Sequence, residues 1–89
     1  MMIEFDAVKD EINRAKHGIS LAAADGMDLS AAIIRPDERF AYGEDRFQAL
    51  GPIGARLHVL VYPVRGETVR AISLRKANDR ERKYYEQNT

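Results

Sequence analysis

The sequence predicts an α+β domain in which two N-terminal helices and a C-terminal helix pack on an antiparallel β-sheet. Three observations point to this class. Apolar residues recur at helical spacing near the N-terminus, short runs rich in β-branched and aromatic residues follow between Gly and Pro, and a helix-capping pattern opens the last dozen residues. We therefore expect the order helix, helix, β-meander, helix, with the helices on one side of the sheet.

The N-terminal residues predict a short edge strand and two helices. Asp6 is a suitable N-cap, because its carboxylate can accept hydrogen bonds from the free amides of the next turn. Gly18 suits the left-handed position that follows many helix ends. The expected elements are a strand at residues 3–5, a helix at 7–16 with an apolar stripe of Val8, Ile12 and Ala15, and a short helix at 21–24 between Ser20 and Gly26.

Four later segments are predicted strands, each next to turn residues. Residues 57–64 are the richest in β-branched and aromatic side chains. Gly66 supplies a hairpin turn, after which the last strand returns antiparallel. The segments are 31–35, closed by Pro36-Asp37; 46–50, ended by Gly51-Pro52 and turned through Gly54; 57–64; and 69–74.

The C-terminal residues predict a final helix. Asn78 followed by Glu81 is a variant of the capping box. We expect the helix to continue through Tyr84 and Tyr85, whose rings anchor it to the sheet. No repeat, low-complexity tract or linker interrupts the chain, so residues 1–89 are expected to form one domain.

Composition excludes several classes of protein. The chain has 89 residues, of which 45% are hydrophobic and 31% charged, as in a globular domain. It has no cysteine, which excludes a disulfide framework, a thiolate metal site and a thiol nucleophile. No apolar run approaches the ~20 residues that span a bilayer, and the N-terminus lacks the pattern of a secretory signal. We expect a soluble cytoplasmic protein with no membrane partner.

The net charge of zero hides an asymmetry between the two halves of the chain. Residues 1–50 carry six Lys and Arg against ten Asp and Glu, a balance of −4, and residues 51–89 carry eight against four, a balance of +4. Such a chain can present a local anion-binding face. For Arg80, Arg82 and Lys83, however, a solvated helix face is the preferred interpretation.

Short sequence blocks are spread over nearly the whole chain. The blocks are Phe5-Asp6 with Lys9 and Asn13; Lys16-His17-Gly18-Ile19-Ser20; Arg46 between Tyr42-Gly43-Glu44 and Gly51; Val59-Leu60-Val61-Tyr62; Arg70-Ala71-Ile72-Ser73-Leu74-Arg75-Lys76-Ala77; and Glu81-Arg82 with Tyr84 or Tyr85.

Together, and in this order, these blocks resemble those of one known family, the BrnT toxins. The resemblance implies a fold, an activity and a partner. The fold would be RelE/ParE-like, with an RNA-cleaving face. The chain would be the ribonuclease toxin of a type II toxin–antitoxin pair, slowing translation. Its partner would be an antitoxin of the BrnA type, which binds operator DNA through a ribbon-helix-helix domain, so that the toxin reaches DNA only through its antitoxin.

RNA can be cleaved without a metal or cofactor, because its 2′-hydroxyl is the nucleophile. The protein must supply a base, cations for the phosphorane and an acid for the leaving oxygen. His17 and His58 lie in different predicted elements without ligands at metal spacing, so we expect no metal site. The predicted catalytic residues are His17, Arg46, Arg70 and Arg75, and the predicted RNA-binding residues are Lys16, Arg56, Tyr62 and Lys76.

Structural explanations compete with these roles. His17 can instead cap a helix C-terminus, Arg46 can pair with the acidic turn before it, and Tyr62 can cover the core. Strict alternation places Arg70 and Arg75 on opposite faces of a strand, and they converge only if the strand breaks or bulges near Leu74. Otherwise Arg75 is a salt-bridged or helix-covering residue.

A second function competes with RNA cleavage. The same fold could serve as a non-catalytic module that binds a partner protein or acts as a co-repressor. The near-neutral total charge favours it, as do the departures from the family pattern at Ala71 and Leu74. Incubation of the protein with RNA in EDTA distinguishes the two functions.

Overall fold

Residues 2–39, 41, 43–65 and 67–89 of the chain are described by a computed structural model. They form an α+β fold with an N-terminal and a C-terminal α-helix around a six-stranded sheet. In chain order the elements are β1 (Met2–Glu4), α1 (Ala7–His17), two 3₁₀ helices (Leu21–Gly26 and Leu29–Ala31), β2 (Ile33–Pro36), β3 (Arg46–Ile53), β4 (Arg56–Arg65), β5 (Thr68–Arg70), β6 (Ser73–Lys76) and α2 (Asp79–Gln87).

The long strand β4 organises the sheet. On one side it pairs antiparallel with β3, which in turn pairs with β2. On the other side its first half pairs with β6 and its end pairs with β5, both antiparallel. The strand β1 adds to β5 in parallel. The predicted α+β class and antiparallel sheet are confirmed, with β1 as a parallel addition at the edge.

Helices cover both faces of the sheet, so the expectation that they lie on one side was wrong. Leu60 belongs to a core with Leu21 of the first 3₁₀ helix, whereas its neighbour Val59 packs with Ala77 and Tyr85 at α2. The physical reason is visible in β4, whose consecutive residues 59–62 are all buried. Such a strand needs an apolar layer on each side.

The predicted strand at residues 69–74 is two strands, because the backbone between them bulges. The N–H of Ile72 donates to the carbonyl of Val61 at 2.8 Å, and Val61 is also the register partner of Ser73. Ile72 and Ser73 therefore both lie opposite Val61, and this extra residue shifts the alternation of side chains by one position. Val69 and Leu74, five residues apart, accordingly lie in the same core.

The first helix begins and ends as predicted. The Asp6 carboxylate accepts from the N–H groups of Val8 and Lys9, and Gly18 adopts a φ of 73° while donating to the carbonyl of Arg14. The second predicted helix, however, is a 3₁₀ helix. Its backbone forms i to i+3 bonds, such as that from Ala23 to Ser20 at 3.1 Å.

The strand β3 continues through Gly51-Pro52, where it was expected to end. Gly51 serves close packing here: a Cβ at this position would lie 2.8 Å from the Cβ of Ala32. The capping box that begins α2 is present, with Asn78 and Glu81 bonding each other's backbone. The predicted turn at Gly66 lies outside the described residues. None of the described helices is long and apolar enough to cross a bilayer.

Candidate active site

A cationic cleft of about 330 Å³ lies where α1 meets the free edge of β6. Four Lys and Arg side chains and one imidazole contribute to its wall, and no Asp or Glu is among the described lining residues. This composition suits an anion such as an RNA phosphate. The lining residues are Lys9, Ile12, Asn13, Lys16, His17, Arg39, Ser73 and Arg75.

Regular backbone geometry explains most of this lining. Lys16 and His17 follow Lys9 by seven and eight residues on α1, which is about two helical turns and returns to the same side of the helix. Ser73 and Arg75 lie two apart on β6, so that both point to the same side of the strand. The cleft is therefore formed by one side of a helix and one side of an edge strand.

His17 is the last residue of α1, and its surroundings lower the pKa of its imidazole. Partial burial lowers its pKa below the ordinary 6.5, and the charges of Lys16 and Arg75 lower it further. At neutral pH the imidazole is therefore unprotonated and can accept a proton. The helix C-terminus would favour the cation, but burial and the two neighbouring cations oppose it.

Arg75 lines the cleft and is also ion-paired. Its two terminal nitrogens donate to the two carboxylate oxygens of Glu81, each at 2.8 Å. These hydrogen bonds raise the pKa of Arg75 and lower that of Glu81. The side chain is 34% exposed, so the salt-bridged interpretation and a role at the cleft are compatible. The ion pair fixes the guanidinium at the cleft.

Arg39 reaches the cleft from the connection between β2 and β3. Its guanidinium donates to both carboxylate oxygens of Asp37, at 2.7 and 3.0 Å. The Asp37 side chain is buried and also accepts from Gln48. Arg39 was not among the predicted site residues. It lies in the connection between β2 and β3, and no local sequence pattern indicates that this connection reaches the cleft.

Lys9, Asn13 and Ser73 also line the cleft without having been predicted as site residues. A signal for Lys9 existed in the sequence, since it lies seven residues before Lys16 on a predicted helix and therefore on the same side. Ser73 could be found only by knowing that the strand bulges before it. Three of the eight predicted residues do meet in the cleft: Lys16, His17 and Arg75.

Arg46 lies in a different and larger pocket, of about 680 Å³. Its guanidinium approaches the Glu44 carboxylate at 3.6 Å, as the acidic turn before it suggested. The described lining carries four acids, Asp37, Glu38, Glu44 and Asp45, around this one arginine. Acidic walls repel phosphate, so the size of this pocket does not make it the better RNA site.

Arg70 also lies outside the lining of the cleft. Its guanidinium contacts the Glu4 carboxylate at 3.4 Å. Arg70 and Arg75 could lie on the same side of the chain only if the strand broke or bulged near Leu74. The bulge at Ile72 meets this condition. Each is nevertheless held by a different carboxylate, Glu4 for Arg70 and Glu81 for Arg75.

The other predicted RNA contacts are distributed over β4 and β6. Arg56 and Lys76 are exposed, and both flank the buried His58. The imidazole Nδ1 lies 2.9 Å from the carbonyl oxygen of Arg56, and Lys76 is the register partner of His58. Tyr62 is only 5% exposed and its ring packs against Phe47 at 6.1 Å. This position matches the core-covering alternative rather than base stacking.

No group of three or more His, Asp or Glu side chains in the described ranges is arranged to hold a metal ion. The cleft instead contains a neutral imidazole among ammonium and guanidinium groups. Such a site can bind a phosphate, take up a proton and stabilise added negative charge.

Comparisons with known proteins identify the family of the chain and a similar solved structure. A family profile described as "Ribonuclease toxin, BrnT, of type II toxin-antitoxin system" matches residues 5–81. The crystal structure of the Brucella abortus ribonuclease toxin BrnT superposes with a TM-score of 0.69 at 27% identity, covering 89% of this chain and 100% of that one. A search of curated proteins finds no match.

Proposed function

The chain belongs to the BrnT family of ribonuclease toxins of type II toxin–antitoxin systems, and from this premise we propose that it cleaves RNA, without a metal ion, in the cleft between α1 and β6. The observation that carries the proposal is the position of His17. Its unprotonated imidazole lies beside Lys16 and Arg75 in the same cleft. A base and cations are therefore present where one phosphodiester can bind.

His17 acts as the general base of this mechanism. It takes the proton from a ribose 2′-hydroxyl, and the 2′-oxygen then forms a bond to the adjacent phosphorus. Because burial and the neighbouring cations lower the pKa of His17, its basic form predominates at neutral pH. The arrival of an anionic phosphate offsets those cations, which helps the imidazole to hold the proton that it accepts.

The cations of the cleft act on the phosphorus centre. Arg75, fixed by Glu81, and the flexible side chains of Lys9 and Lys16 stabilise the charge of the phosphorane. The bond from phosphorus to the 5′-oxygen then breaks, and a lysine ammonium gives that oxygen a proton. The products are a 2′,3′-cyclic phosphate and a free 5′-hydroxyl.

The other five predicted site residues take no part in the proposed chemical step. Arg56 and Lys76 are exposed on neighbouring strands and would contact the RNA backbone beyond the cleft. The mechanism makes no use of Arg46 or Arg70, which are held by acids elsewhere. Nor does it use Tyr62, whose ring lies in the core.

A type II toxin acts with an antitoxin protein, and we propose that this partner is of the BrnA type. Support comes from the sequence blocks shared with BrnT toxins and from the family match over residues 5–81. Operator DNA would then be bound by the antitoxin and not by this chain. On the same grounds we propose that the fold is RelE/ParE-like, and an adjacent gene for a ribbon-helix-helix protein would support the pairing.

The test is cleavage of a defined RNA by the purified chain in EDTA. We expect discrete fragments that end in cyclic phosphate, and a loss of about 10²–10⁴-fold in rate for His17→Ala. Lys16→Ala should also lose activity, whereas Lys83→Ala, an exposed lysine on α2, is the matched control and should not. Intact RNA under these conditions would favour the non-catalytic module, and full activity of His17→Ala would reject the assigned base.

A further inference from the structure

Asn13 joins α1 to the free edge of β6 through its side chain. It is only 4% exposed, and it is the buried residue of α1. Its amide nitrogen donates to the carbonyl oxygens of Leu74 and Ile19, each at 2.8 Å. Its amide oxygen accepts from the N–H of Leu74 at 3.0 Å. The single side chain thus bonds both backbone groups of Leu74 and the loop that follows α1.

This pairing replaces a missing neighbour strand. Among the described strands, β6 pairs with β4 alone. On its other side, Leu74 directs its N–H and carbonyl groups toward Asn13 of α1. A primary amide offers one donor group and one acceptor in the same arrangement as a peptide unit. Asn13 therefore satisfies an edge that would otherwise leave buried backbone groups unpaired.

The residues next to these bonds are those of the cleft. His17 lies one helical turn after Asn13 on α1, and Ser73 and Arg75 flank Leu74 on β6. All four line the same cleft. Given the proposed function, on which this inference rests, we infer that Asn13 is a positioning residue for RNA cleavage: its amide fixes the base on α1 relative to the arginine on β6.

Apolar packing does not attach α1 to β6. The apolar residues of α1, Val8 and Ile12, are 63% and 59% exposed, so they do not hold the helix against the sheet. The carboxylate of Asp10 bonds Ser20 and Leu21, which fixes α1 to the 3₁₀ helix rather than to β6. Asn13 is therefore the polar anchor that determines where α1 lies along β6.

The experiment compares Asn13→Ala with Tyr85→Phe. The control removes one hydrogen bond, from Tyr85 to the carbonyl of Ala31 at 2.7 Å, in another part of the fold. We expect Asn13→Ala to lower kcat by roughly 10- to 100-fold, with KM changed much less, because misplacement acts on the reacting geometry. Tyr85→Phe should change neither constant by more than about twofold, since it leaves α1 and β6 in register.

A second readout needs no RNA and is independent of the proposed activity. The pKa of the His17 imidazole, followed by NMR titration, should rise toward its ordinary value in Asn13→Ala, because the ring loses burial and its fixed distance from Arg75. If Asn13→Ala does not fold, Asn13→Ser retains a hydroxyl and is measured in the same way. An unchanged imidazole pKa, or a loss of kcat no larger than the unfolded fraction, overturns the inference. Failure of the proposed function shows instead as RNA left intact by the wild-type chain or as full RNA cleavage by His17→Ala.

Discussion

The surroundings of His17 in the cleft determine the pKa of its imidazole. Lys16 precedes it in the chain, and Arg75 faces it from β6. Both cations lower the pKa of the imidazole, after the larger effect of burial. Glu81 accepts a hydrogen bond from each terminal nitrogen of Arg75 and so holds the guanidinium at the cleft. The carboxylate thus keeps a cation in the cleft while the histidine stays neutral.

This arrangement predicts the pH dependence of cleavage. A general base works in its unprotonated form, so kcat/KM should rise with pH and level off, with a midpoint below 6.5 because the pKa of His17 is lowered. Lys16→Ala removes one positive charge and should move the midpoint upward. The pH profile of kcat/KM for the wild type, Lys16→Ala and the control Lys83→Ala measures this. A midpoint that stays the same in Lys16→Ala would show that the base is another group.

At the scale of elements, α1 is attached by polar groups and exposes its apolar stripe. Val8 and Ile12 were expected from their spacing to define the packing side of the helix, but the buried residue is Asn13. The spacing predicted the helix itself and both of its caps. It could not show which side would be buried, because a buried asparagine is satisfied only by the edge of a strand that is distant in sequence.

Substitution of the stripe should therefore have little effect on stability. Val8→Ala should change the free energy of unfolding by no more than about 0.5 kcal/mol, since the side chain is 63% exposed and alanine favours a helix. Leu21→Ala, at a fully buried position, should cost about 2–5 kcal/mol. Urea denaturation of both variants measures the difference. A loss above about 1 kcal/mol in Val8→Ala would mean that the stripe is packed in solution.

The strands show where sequence patterns succeed and where they do not. Residues 57–64 were predicted as a strand from their β-branched and aromatic side chains, and β4 includes all of them. Residues 69–74 contain no Gly or Pro that would mark a break in the strand, so the position of the bulge at Ile72 could not be predicted from them. Its effect on the site is large, because the shift in alternation determines the side to which Ser73 and Arg75 point.

Across the whole molecule, the charge asymmetry of the sequence does not map onto one half of the fold. In the sequence, the excess of positive charge lies in residues 51–89. In the cleft, however, Lys9, Lys16 and Arg39 come from the acidic first half, and Arg75 alone comes from the second. Of the lining residues, Lys16, His17 and Arg75 were predicted and Lys9 carried a signal in the sequence, whereas tertiary contacts bring Arg39 and Ser73 to the cleft.

The most direct test of the account is to find where RNA binds. An RNA with 2′-O-methyl riboses cannot be cleaved, and its binding to the isotopically labelled chain can be followed by NMR. The account predicts that the largest chemical-shift changes occur at His17, Ser73 and Arg75, around the cleft of about 330 Å³. Changes concentrated instead at Arg46 and its acidic pocket, with the cleft residues unaffected, would contradict it.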